Sequence, residues 1–289
     1  MSRQATIPNA TLVYDNGGWI EFLAVRPNGS ILLPYTSSPE LWSLNPLTGE
    51  ATLLVNFTGP FTSLTGITEV QPDFYAVLSG NFTLNTAELS TGSWGVWTVD
   101  FRGCDNCLPV VNFIRQIPES RFFLAAERLD DDNIFIADGD QGLLYKMNII
   151  TGEYSIVLQD ISMDRNGGLA GIHGVQYAAP YVYYTNTFRG GYWKLEVSHA
   201  GEAIGSPIKI SSLDTGDRLE GLAPWIDGSV FIPIQSGGVK RVWPDGSYAQ
   251  YLGVEPPTDC IFGRTQFDWD VLYICTAFGT VYKAPYQLD

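Results

Sequence analysis

Positive charge is scarce in this chain. Sixteen Lys and Arg stand against 31 Asp and Glu in 289 residues, a net charge of −15. That balance argues against nucleic acid and against anionic membrane surfaces as partners. No apolar run approaches the ~18 residues needed to cross a bilayer, so no membrane span is expected. There is no G-x-S-x-G elbow, which leaves a serine hydrolase unsupported, and no Gly-rich phosphate loop or dinucleotide fingerprint. The four cysteines allow two disulfides in three pairings. Cys104 and Cys107 share the turn FRGCDNCLP, and no second pair at metal-ligand spacing accompanies them, which argues against a structural zinc. A local Cys104–Cys107 bridge is expected. Cys260 and Cys275 fall on adjacent strands and are either bridged or two buried thiols. A signal peptide is also missing, yet Met1-Ser2-Arg3 begins abruptly and polar, as a mature form would after loss of a leader. With sequons at Asn9, Asn28, Asn56 and Asn81 as glycosylation candidates, a secretory-pathway or secreted protein is expected.

What the chain has in quantity is turn residues and rings: Gly 30, Pro 17 and 13% aromatics, which suit many short strands. One fifteen-residue stretch occurs twice, as LWSLNPLTGEATLLV at Leu41–Val55 and LYKMNIITGEYSIVL at Leu144–Leu158. A looser copy, VKRVWPDGSYAQYL, runs from Val239 to Leu252. Each is a strand, a Gly-containing turn and a second strand with alternating apolar residues. A hairpin repeated at long spacing in an all-β sequence predicts radial repetition, each copy being half of a propeller blade. Six β-branched and aromatic runs mark the second strands, at Ser30–Tyr35, Phe74–Gly80, Asn133–Asp138, Tyr181–Asn186, Ser229–Ile234 and Val271–Thr276. The innermost strands precede them, at Trp19–Val25, Leu64–Val70, Phe122–Leu129, Gly171–Tyr177, Arg218–Ala223 and Thr258–Arg264. Only Thr280–Pro285 follows the last run, so Thr11–Tyr14 is expected to complete the sixth blade and close the ring. The prediction is an all-β, six-bladed propeller forming one domain over residues 1–289, with its chemistry on the central axis.

Several segments resemble the SMP-30/gluconolactonase-like six-bladed propellers, in particular a fungal branch: WIEFLAVRPNGSILLP, PELWSLNP, SWGVWTVD, GLAGIHGV with YVYYTNT, and CIFGRTQFDWDVLYICTAFG. In metal-dependent members a Glu, two Asn and an Asp hold a divalent cation on the axis, an oxygen set that would polarise a lactone carbonyl. Here Glu21 matches the first acid, but Phe22 follows it where an Asn is usual. Leu124-Ala125 replaces the third-blade Asn-Gly, His173 replaces the fourth-blade Asn, and Glu220 is the one carboxylate left in the fifth. Leucine cannot ligate a metal, so neither a metal nor another cofactor is expected.

Some proteins of that branch catalyse hetero-Diels–Alder reactions between a tropolone-derived o-quinone methide and a humulene-type sesquiterpene. The resemblance therefore implies a metal-independent pericyclase acting on small apolar or aromatic substrates. A cycloaddition needs two partners in near-attack geometry and a donor toward the oxadiene oxygen, and no nucleophile. The expected donors are His173, Glu21, Glu220 and Arg264. The expected substrate contacts are Trp19, Phe22, Asn81, Phe123, Leu124, Tyr184, Phe188 and Thr258. Plainer readings stand beside these. His173 is either a buried neutral imidazole or a general acid, Glu21 and Glu220 pair with Arg218, Arg264 or Arg128 or face the axis, and Glu127 and Arg128 form an ion pair. Asn81 is a ligand contact or a glycosylated turn, and about half of the rings are inter-blade core. Two other functions compete: a metal-dependent lactonase or esterase using Glu21, His173 and Glu220, and a non-enzymatic propeller that binds a ligand or protein on its face.

Overall fold

Alternating apolar runs, most of five to nine residues, give six four-stranded antiparallel sheets, in which the first strands of blades 1 and 5 shrink to Ala24–Val25 and Ala223–Pro224. The structure is a computed structural model that describes residues 9–57, 59–83, 86–103, 107–254 and 256–286. The blades run consecutively along the chain. The second blade, for example, contains Ser63–Gln71, Phe74–Gly80, Gly95–Asp100 and Val110–Gln116. Thr11–Asp15 pairs with Thr280–Pro285, Thr11 opposite Lys283, so the N-terminal strand is the outermost of the sixth blade. This pairing covers an edge that would otherwise be open. Among the described residues no helix is long and apolar enough to cross a membrane.

The repeated hairpins are the third and outer strands of blades 1, 3 and 5. The turns of blades 1 and 3 are alike because their chemistry is alike, whereas blade 5 turns on Asp245, whose Oδ1 accepts from Ser247 N–H at 2.9 Å. Asn45 Oδ1 accepts from Leu47 N–H at 3.0 Å, and Asn148 Oδ1 accepts from Ile150 N–H at the same distance. Gly49 and Gly152 follow at φ of +78° and +73°, a region that other residues enter at a cost.

Threonine hydroxyls join neighbouring blades near the axis. Thr36 donates to Leu64 O at 3.0 Å, Thr65 to Phe123 O at 2.8 Å, Thr187 to Leu219 O at 2.8 Å and Thr258 to Ile20 O at 2.6 Å. Each bond satisfies an inner-strand carbonyl that the sheet leaves free, a net contribution of about 1 kcal/mol. Bare glycines let the inner strands approach. A Cβ on Gly66 would come 2.4 Å from Leu124 O, and one on Gly174 would come 2.8 Å from Gly221 Cα.

Cys104 lies outside the described residues, and with it the expected Cys104–Cys107 bridge. Cys260 and Cys275 are buried free thiols. Cys275 stands opposite Asp259, so the two share one sheet face and Cys260 points to the other.

Candidate active site

The inner edges of blades 1, 4 and 5 bring Glu21, His173 and Glu220 together on the axis. His173 lies in the strand Ile172–Ala178, whereas Glu21 and Glu220 follow the isolated bridges at Ile20 and Leu219 and precede the short strands Ala24–Val25 and Ala223–Pro224. His173 Nε2 lies 2.7 Å from Glu21 Oε1 and 2.8 Å from Glu220 Oε2, and all three side chains are at most 5% exposed. Trp19 Nε1 donates to the other oxygen of Glu21. Phe22 lies along the imidazole, centroids 5.5 Å apart and planes 28° apart. Burial works against charge on His173, but the two facing carboxylates outweigh it and lift the imidazole to about 10. Burial also raises the Glu220 carboxyl, while His173 opposes that rise. A dry site favours the arrangement with least net charge, in which the raised His173 keeps its proton and burial holds one on Glu220. The cluster thus presents acidic protons, and its rings wall them from water.

These groups face a cavity of about 40 Å³ lined also by Trp19, Phe82, Phe122, Leu124 and Phe188. Phe82 meets Trp19 edge-on at 6.2 Å and stacks on Phe122 at 5.2 Å. Phe188 is held between Arg218, whose guanidinium carbon is 4.7 Å from the ring centre, and the backbone at Gly168, where a Cβ would come 2.0 Å from the ring.

The structure therefore gathers His173, Glu21, Glu220, Trp19, Leu124 and Phe188 around this cavity, with Phe22 beneath the imidazole. It places the other expected site residues elsewhere. Phe123 turns away from the axis and packs in the core against Trp94 and Tyr145. Its neighbour Phe122 takes the axial place because successive strand residues face opposite ways. Tyr184 lies on the second strand of its blade, with its hydroxyl 2.6 Å from Ser162 Oγ. Thr258 is spent on the Ile20 carbonyl. Asn81 does not line the cavity, whereas Phe82 beside it does. Arg264 lies at the other end of the channel, donating to Glu69 at 2.6 Å and to Val25 O at 3.1 Å. The expected ion pairs also differ. Arg218 donates to Gln235 at 3.1 Å, and Arg128 pairs with Asp131 at 2.5 Å while Glu127 takes Gln176 at 2.8 Å.

The resemblance implies a divalent cation where Glu21, His173 and Glu220 meet, and their ligand atoms lie within 4.8 Å of one another. The fit fails on spacing. Nε2 sits at hydrogen-bond distance from both oxygens, whereas ligands sharing a tetrahedral ion at ~2.0–2.1 Å stand about 3.3 Å apart. His173 Nδ1 is buried without a partner, while a metal-bound imidazole normally donates its second N–H to an acceptor. Leu124 and Phe22 add no ligand. The residues present fit a hydrogen-bonded proton cluster better than a cation.

Sequence reasoning set Asn81-Phe82 at the funnel mouth but chose Asn81 as the contact, and it missed Phe122 as the axial member of its pair and Asp259. Asp259 is a buried carboxyl on the sixth inner strand that accepts from Leu23 N–H at 3.2 Å. Its signal was its place directly after Thr258 on an inner strand.

No protein-family model matches the chain. A protein of Phoma sp that carries the provisional name hetero-Diels–Alderase is 28% identical over 95% of this chain and 88% of its own length. A second of the same provisional name, from Sarocladium schorii, is 21% identical over 94% of this chain and 78% of its own. Among solved structures, the calcium-binding regucalcin of Agrobacterium tumefaciens superposes with a TM-score of 0.70 at 13% identity, covering 99% of this chain and 98% of that one. A gluconolactonase of Xanthomonas campestris gives 0.68 at 12% identity, covering 97% and 90%. The fold is the six-bladed propeller of the gluconolactonase and regucalcin type, and across nearly its whole length the chain is similar to proteins named as hetero-Diels–Alderases.

Proposed function

We propose that the protein is a metal-independent hetero-Diels–Alderase joining a tropolone-derived o-quinone methide to a humulene-type sesquiterpene. The observation that carries this reading is the proton cluster itself, an imidazole between two carboxyls buried among Trp19, Phe82, Phe122, Leu124 and Phe188. The names of the curated relatives support it. In the reaction the oxadiene and the alkene form one C–C and one C–O bond, and no proton is gained or lost. Negative charge grows on the oxadiene oxygen as the bonds form. A donor from Glu220 or His173 stabilises it without reorganisation. The rings hold the partners near attack geometry, an effect that can contribute ~7–11 kcal/mol, and exclude the water that would add to a quinone methide. Starting from an o-hydroxymethyl precursor, Glu220 can protonate the departing hydroxyl, which leaves as water as its C–O bond breaks, and the ring hydroxyl returns a proton to the Glu220 carboxylate as it becomes the quinone-methide carbonyl. The cavity of about 40 Å³ is smaller than either partner, so the Phe82, Phe122 and Phe188 rings must swing outward to admit them.

The test is incubation of the protein with a quinone-methide precursor and humulene, scored for rate and stereochemistry against a protein-free control. One dominant stereoisomer formed faster than the control is the expected result. A non-selective product at the control rate would remove the proposal. Activity should persist after chelator treatment, and activity regained only with added metal would favour the lactonase-type site instead.

A further inference from the structure

The channel does not end at His173. On the other side of Phe22 the inner strands diverge around a cavity of about 330 Å³, at the lower end of the ~300–1,000 Å³ typical of small-ligand sites. Its walls include Phe22, Ala126, Val175, Leu222, Ala223 and Phe262. Besides Glu69, which is paired with Arg264, two carboxyl groups enter this largely apolar space. Asp259 is 6% exposed and sits so close to the next blade that a Cβ on Gly221 would fall 1.9 Å from its Oδ1. Glu127 accepts from Gln176 Nε2 at 2.8 Å and Tyr177 N–H at 3.1 Å, both at Oε1, and its carboxyl is also met by the Arg128 backbone N–H. The one cation on the lining is Arg264, which is already held by Glu69 and Val25 O.

We propose that this cavity is a second ligand site, for a neutral and largely apolar molecule bearing a carbonyl oxygen, with the Asp259 and Glu127 carboxyl groups as its hydrogen-bond donors. Burial supports the donor role, because it pushes Glu127 up to about 8 and Asp259 well above the usual carboxylate range. An anion would lose its hydration and find no free cation in return. A carbonyl ligand would instead accept from two groups whose protons have few other acceptors. The inference does not rest on the cycloaddition reading, since the site lies across Phe22 from the His173 cluster and is tested by binding alone.

The probe is β-ionone, a neutral C13 ketone, titrated into the full chain and followed by calorimetry. β-Ionylideneacetate serves as an anionic counterpart. The ketone should bind at pH 7, and the anion at least tenfold more weakly. Val175→Phe, which fills the cavity, should weaken the ketone at least tenfold, whereas Leu124→Trp on the His173 side should leave it within twofold. A second measurement needs no change to the core. The titratable groups facing the space are Glu127, Asp259, Cys260 and the Glu69–Arg264 pair, with His173 behind Phe22. Raising the pH from 7 to 9.5 should weaken the ketone several-fold as Glu127 ceases to donate, and Glu127→Gln, which keeps a donor, should restore affinity at pH 9.5. Absence of ketone binding would overturn the proposal, as would equal affinity in Val175→Phe, loss in Leu124→Trp or a preference for the anion.

Discussion

The two ends of the channel carry similar groups in opposite circumstances. At one end Glu21 and Glu220 share an imidazole inside a cramped ring of aromatics. At the other, Asp259 and Glu127 stand in a wider apolar space without a base. At the first end the carboxyls share a buried charge with the imidazole they face, a cluster the fold depends on. At the second no base is in reach, and burial alone raises Asp259 and Glu127. The contrast teaches that one propeller axis can hold two chemically different cavities in series, separated here by Phe22 and the close approach of Gly174 to Gly221.

The strongest way to break the comparison is to remove the base. His173→Ala should cost about 3–5 kcal/mol of stability in urea unfolding, because both carboxyls lose their buried partner. It should also reduce cycloadduct formation to the control rate. Next comes the waist of the channel. Gly221→Ala sets a methyl against Asp259 and should cost about 1–3 kcal/mol by overpacking, read as a lower midpoint at unchanged urea dependence.

The pH dependence of stability separates the ends. Glu127 binds its proton up to about 8 when folded but only to about 4.3 when unfolded. Its effect is therefore a loss of stability as pH rises between those values, and Glu127→Gln should flatten that part of the curve. His173 stabilises fully below about 6.5 and loses that contribution as pH climbs toward about 10. Unfolding midpoints at pH 6 and 9.5 should therefore differ less in His173→Gln than in the native chain. The smallest effect is expected at Arg264→Ala, where a partly exposed ion pair with Glu69 is lost and stability should change by less than about 1 kcal/mol.

Much of this architecture is legible in the sequence, because the repeated hairpins carry their turn chemistry in the residues themselves. Four of the six second strands occupy the predicted spans, and the remaining two begin one residue later, with one of them also ending one residue early. The axis is harder to read. The strand Phe123–Arg128 is bulged between Phe123 and Ala126, so alternation alone does not tell which of Phe122 and Phe123 faces inward. Arg264 follows the inner strand Pro257–Phe262 and so emerges at the far mouth, a consequence of strand length rather than residue type. Glu21, His173 and Glu220 were legible because each sits where the family pattern has a metal ligand. That they touch is a fact of ring closure, since 152 residues separate the first two.

That closure has a kinetic side. Thr11–Asp15 meets Thr280–Pro285 across roughly 270 residues, and joining the ends of so long a loop costs about 5 kcal/mol of chain entropy. Blades can form one by one from neighbouring strands, but the ring must wait for its two ends to find each other. Until then blade 1, which carries Glu21, is held to blade 4, which carries His173, only through blades 2 and 3. The ring's seam in the sixth blade is therefore expected to tighten a site whose residues lie on other blades.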